Sequence, residues 1–240
     1  MRTLCWRGLY HLRFPRPHMR LNDAHFPGGI ILSMLSLEPL EIASLLITLV
    51  LSLTVHEFAH AWTADQFGDD TPRLAGRLTL NPLAHLDLWG SLMFVIAGFG
   101  WAKPVPVDYF ALRRRTPAAL MLVALAGPFS NLLLAILASL PFRMGLLYSG
   151  SIGLETSNVI ATFLLLFIFY NLLLLFFNLL PIFPLDGEKI ATYFLPQGGQ
   201  DVLYRLRPYG PMILIGIILI GNATGFDLFD LVVGAPAEVI

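Results

Sequence analysis

Four apolar segments decide what this chain can fold into. They run from about Leu40 to Phe67, Ala118 to Leu140, Val159 to Leu180 and Pro211 to Gly225. A helix needs about 20 apolar residues to cross a bilayer, and inside lipid its backbone must satisfy its own hydrogen bonds. The expected fold is therefore an all-α polytopic membrane protein with four main transmembrane helices. The fourth segment is the shortest and reaches spanning length only if it starts within 203–210. Composition points the same way: 56% of the 240 residues are hydrophobic and 13% charged, where soluble domains carry about 25% charge. The net charge of −1 offers nucleic acid no basic face. Cys5 is the only cysteine, so an intrachain disulfide and a thiolate metal cluster are both excluded.

Residues 1–33 read as a polar, disordered N-terminal arm, and 34–240 as a single membrane-embedded domain in which Met34 is a candidate start. His11, His18 and His25 repeat every seven residues, but Pro15 and Pro17 forbid one continuous helix through them. Between the first two spans, "RLAGRLTLNP" alternates β-branched residues and leucines with polar residues, a strand-like pattern. "WAKPVPVDYF" follows with X-Pro steps that favour extended backbone. A short β or re-entrant segment is expected here, lying over a cavity and offering an edge to an unwound peptide. The loops at 68–117 and 186–208 share a side and carry nine Lys or Arg, whereas only Arg143 and Arg20 lie near the spans on the other side. By the positive-inside bias the first side is cytoplasmic.

"LTVHEFAHAW" sits inside the first span. His56 and His60 are four apart and share one helix face, where two imidazoles can hold one metal ion. Glu57 lies beside them, placed to take a proton from an attacking water and hand it to a leaving amine. Ionisable residues within a spanning helix are functional by default, although a helix ending near Val55 would make the triplet merely interfacial. A catalytic zinc wants three protein ligands and an open position. "FFNLLPIFPLDGEK" supplies Asp186 as the third candidate, in an unwound segment after Pro181 and Pro184, with Gly187 allowing the turn. An interfacial aspartate at a helix end is the competing reading.

"HEFAH" together with "NLLPIFPLDG" resembles the two signature motifs of the site-2 protease family, intramembrane zinc metalloproteases. "GRLTLNPLAHLDLWG", "GWAKPVPVD" and "ALAGPFSN" are similar to its compact branch, which lacks PDZ and CBS domains. The resemblance covers roughly residues 40–225. It implies one zinc ion per chain, held by His56, His60 and Asp186, with Glu57 as catalytic base. It implies hydrolysis of peptide bonds in or near transmembrane segments of membrane-protein substrates, in a bacterial-type cell membrane, with the site opening toward the cytoplasm.

Asn131 is a candidate oxyanion stabiliser, and Asn178 a candidate for positioning the Asp186 loop. Interhelical hydrogen bonding is the alternative for both. For His85 a further ligand, a gate and an interfacial anchor are all open, with the anchor expected, and Asn171 is assigned no chemistry. A membrane metal transporter and a non-catalytic scaffold on the same fold are the competing functions. A transporter has no use for Glu57 beside the metal, and transporters often carry repeated halves, which this sequence does not show.

Overall fold

The computed structural model describes residues 39–97, 101–147 and 156–224. The described elements are helical: α1 (Pro39–Gln66), α2 (Thr71–Leu74), α3 (Leu88–Ala97), α4 (Tyr109–Arg115), α5 (Ala119–Arg143), α6 (Thr156–Asn178), α7 (Asp186–Phe194), α8 (Gln197–Leu206) and α9 (Gly210–Thr224). Short 3-10 turns fill Pro82–Ala84 and Arg207–Tyr209.

Among the described residues, three helices are long and apolar enough to cross a membrane: Ile42–Gln66 in α1, Ala119–Arg143 in α5 and Val159–Asn178 in α6. They match the first three segments read from the sequence within a few residues. The fourth expected span is not among them. α9 has 15 residues, a length of about 22 Å, short of the roughly 30 Å hydrocarbon core.

α1 runs unbroken for 28 residues because neither glycine nor proline interrupts it after Pro39, which suits a first helical turn. It stops at Gly68, whose φ of +86° is the left-handed conformation that a β-carbon disfavours. α5 contains Pro128 and Pro141. Pro128 has no N–H, so the carbonyl of Ala124 loses its helical partner, which membrane helices tolerate when neighbours cover the site.

α5 is the centre of the bundle and packs on α1, α6 and α7. Along α1, Ser44, Thr48, Ser52, His56 and His60 recur every fourth residue and all are buried. The facing stripe of α5 is Val123, Gly127, Asn131 and Ala135, also buried. Small residues on such stripes let two backbones approach closely where lipid supplies no hydrophobic drive between helices. Ala64, Leu112, Ala119 and Val123 join the end of α1 to α4 and α5, and Ala135, Leu172 and Leu175 join α5 to α6.

Among the described residues the expected β segment does not form. They contain no strand, only an isolated bridge between Leu86 and Ala102. The alternating leucines find no sheet: Leu74 and Leu80 are exposed. The extended backbone is tied down by a side chain instead. The buried Arg77 donates from Nη1 to the carbonyls of Ala84 (2.7 Å) and Lys103 (3.0 Å). The apolar run at 88–100 begins as helix α3. The edge expected to receive an unwound peptide is therefore absent from this region as described. The arm at 1–33 lies outside the described residues.

Candidate active site

The histidines reach the site because α1 is continuous through them, and α5 lies against the face they share. Both rings are held at Nδ1. His56 Nδ1 is 2.6 Å from Asn131 Oδ1, and His60 Nδ1 is 2.7 Å from the Val123 carbonyl oxygen. Each partner is an acceptor, so each ring carries a proton on Nδ1, and Nε2 is the nitrogen turned toward Asp186 and available to a shared metal ion. The two Nε2 atoms converge on one carboxylate oxygen, Asp186 Oδ2, at 3.2 and 3.1 Å. One donor atom from each of the three residues lies within 4.8 Å of the others, and all three residues are buried.

This arrangement fits a zinc ion. Two neutral imidazole nitrogens and a carboxylate oxygen are a hydrolytic donor set. The hydrogen bonds at Nδ1 are of the kind that orient metal-ligating histidines. Gly127 completes the fit, since a β-carbon there would overlap the Nε2 atoms of both rings.

Asp186 does not lie in an unwound segment, as the sequence suggested. It opens helix α7, where the positive end of the helix dipole favours a carboxylate. Burial works against its charge, but His60, His56 and Lys189 outweigh that and hold its carboxyl well below the usual carboxylate range. Lys189 Nζ donates to the other carboxylate oxygen, Oδ1, at 3.1 Å. Gly187 supplies room rather than an unusual φ: a β-carbon there would overlap the carbonyls of Leu179 and Leu180 at the end of α6.

Glu57 is buried, 9% exposed. It sits one residue from His56 in the same helix and makes no hydrogen bond to the described residues. Asn131 is placed differently from the expected oxyanion donor. Its Oδ1 faces His56, and its Nδ2 donates 2.9 Å to Asn171 Oδ1. Asn171 in turn donates to the Phe167 carbonyl at 2.8 Å. Both Asn131 and Asn171 are 0% exposed, so the amide chain is spent on orienting His56. Asn171 was missed by the sequence reading. Asn178 donates to Leu174, one turn back in its own helix, at 3.0 Å, and makes no hydrogen bond to the Asp186 turn.

His85 is not an interfacial anchor. It is 1% exposed, and its Nε2 lies 2.8 Å from the Thr79 carbonyl oxygen, which fastens the loop between α2 and α3. Gly127 and Lys189 were also missed. The signal for Gly127 was a four-residue spacing in α5, Val123, Gly127, Asn131 and Ala135, that mirrors the polar stripe of α1.

No solved structure matches the chain. YwhC of Bacillus subtilis (strain 168), provisionally named a zinc metalloprotease, is 40% identical over 171 residues, covering 71% of this chain and 78% of that protein. Rip2 of Mycolicibacterium smegmatis and Rip2 of Mycobacterium tuberculosis (strain H37Rv) carry the same provisional description. Each is 31% identical over 210 residues, covering 82% of this chain and 76% and 78% of their own lengths. The model of peptidase family M50 matches residues 44–147 and 145–205, so the histidine pair, Glu57, Gly127, Asn131 and Asp186 all fall inside it, and the chain belongs to peptidase family M50, the site-2 protease family of zinc metalloproteases.

Proposed function

We propose that this zinc metalloprotease is an intramembrane endopeptidase that hydrolyses peptide bonds in or near the transmembrane segments of membrane-protein substrates. The observation that carries the reading is the convergence of His56 Nε2, His60 Nε2 and Asp186 Oδ2 on one buried point, between helices long enough to span a bilayer. His56, His60 and Asp186 hold the zinc. When bound there, zinc supplies Lewis acidity to the reaction.

The remaining chemistry belongs to the chain. Glu57, free of hydrogen bonds to the described residues, accepts the proton of the attacking water and returns it to the departing amine. Asn131 and Val123 keep both imidazoles in the tautomer that leaves Nε2 available. Asn171 holds Asn131 in turn. Asn178 is a helix-internal residue with at most a supporting part in the Asp186 turn. The enclosing helices exclude bulk water, which strengthens every charge interaction within the site.

Localisation in a bacterial-type cell membrane, with the site opening toward the cytoplasm, is supported by the nine basic residues on the side of residues 68–117 and 186–208. The deciding experiment is Glu57→Gln in reconstituted vesicles with a membrane-spanning reporter. Gln keeps the size and the hydrogen bonding but cannot take a proton. Zinc content is expected to persist while cleavage falls by about 10²–10⁴-fold. Wild-type cleavage by the zinc-loaded variant would refute the role of Glu57.

A further inference from the structure

Asp186 is the one proposed ligand that does not come from α1, so its position depends on whatever holds the turn before α7. The structure gives that turn an unusual support. Glu188, two residues after Asp186 in the first turn of α7, is 2% exposed. Its Oε1 accepts a hydrogen bond from Arg207 Nε at 2.8 Å, and Arg207 Nη2 lies 2.8 Å from the same oxygen in an ion pair. Arg207 comes from the 3-10 turn between α8 and α9. Its guanidinium lies 4.6 Å from the centroid of the Tyr204 ring and 5.9 Å from that of Phe183. Phe183 belongs to the very turn that leads into Asp186. The backbone of α9 rests on the same turn, because a β-carbon at Gly210 would overlap the Phe183 carbonyl.

We propose that Arg207 is a positioning residue for Asp186 and acts through Glu188, a proposal that rests on reading Asp186 as a zinc ligand. A carboxylate buried like Glu188 is strongly unfavourable without its cation. Glu188 therefore stays inside the first turn of α7 only while Arg207 faces it. The end of α6 supports the turn from the other side, against Gly187. Between these two supports the Asp186 Cα has little freedom, and Lys189 then fixes the carboxylate by its outer oxygen. Lys189 is 36% exposed at its side chain, so it orients the carboxylate but cannot hold the backbone. Arg suits the clamp better than Lys, since its planar guanidinium can hydrogen-bond and ion-pair with the carboxylate while its faces lie over rings.

The test uses the full chain in detergent, with zinc affinity measured by chelator competition, helicity by circular dichroism and the ligand field by cobalt(II) absorption. If the wild-type chain binds no zinc, the ligand reading itself fails, whatever Arg207 does. Given zinc binding, Arg207→Gln is expected to keep its helicity, to lose about 10–100-fold in zinc affinity, and to alter the cobalt spectrum as Asp186 withdraws. Arg207→Lys, which keeps the charge but not the fork, falls between. Arg73→Gln, which breaks the exposed pair with Asp65, leaves zinc affinity unchanged and controls for the loss of any ion pair. Wild-type zinc affinity in a folded Arg207→Gln overturns the proposal. Should that variant fail to fold, wild-type affinity in Arg207→Lys overturns it.

Discussion

Gly127→Ala separates a site residue from a packing residue, because the two roles predict opposite outcomes. In a helix interior alanine is favoured over glycine by about 1 kcal/mol. Gly127 lies inside α5 and its φ is not in the left-handed region, so its backbone accepts alanine without strain. On helix propensity alone the variant is more stable than the wild type.

The added β-carbon, however, falls closer to both His56 Nε2 and His60 Nε2 than the 3.0 Å that real contacts keep. The rings can move away only by giving up the Nδ1 hydrogen bonds to Asn131 and Val123. Those two bonds are worth about 0.5–1.5 kcal/mol each, which offsets or exceeds the gain in propensity. Zinc affinity suffers more. Loss of one orienting partner typically reduces it by about 10–100-fold, and here two rings are displaced and the space at Nε2 is filled. A loss of at least about 100-fold is expected, near 3 kcal/mol. The assay is chelator competition on the purified protein, with helicity and melting temperature measured in parallel. Zinc affinity within threefold of wild type, on the order of 0.7 kcal/mol, would show that the rings are not confined against Gly127 as described.

Three further outcomes are expected. Asn131→Ala frees His56 Nδ1 and weakens zinc binding by about 10–100-fold, and unchanged affinity would remove Asn131 from the site. His60→Ala and Asp186→Ala each reduce zinc well below one equivalent per chain by metal analysis, and full retention in both would discard this ligand set. Arg114→Cys, in a background without Cys5, is labelled in intact cells only by a reagent that crosses the membrane, and labelling by an impermeant reagent would reverse the proposed orientation.

The first three spans and the histidine pair were legible because each is a local pattern. A run of apolar residues carries its own length, and an i, i+4 pair carries its own geometry. Asp186 was legible as a residue but misplaced, since Pro181 and Pro184 announce where α6 ends and not where a new helix begins. The strand reading failed for a related reason. Alternating leucines imply a sheet only if partners exist, and here Arg77 satisfies the carbonyls that a neighbouring strand would otherwise take. Asn171, Lys189 and Arg207 could not be read at all. Each acts through a partner that is distant in sequence or indistinguishable, on local grounds, from an ordinary polar residue.

Gly127 was legible in principle, and the reason lies in how α1 meets α5. The contacts run antiparallel: His60 reaches Val123, and His56, four residues earlier, reaches Asn131, eight residues later. The position midway between Val123 and Asn131 must therefore face the interval between the two rings. Any side chain there would occupy the volume into which both Nε2 atoms point. A stripe that places two imidazoles a turn apart on one helix thus demands a residue without a side chain on the other. Glycine at 127 is the counterpart of the histidine spacing, and the two features together leave the room in which both Nε2 atoms meet Asp186.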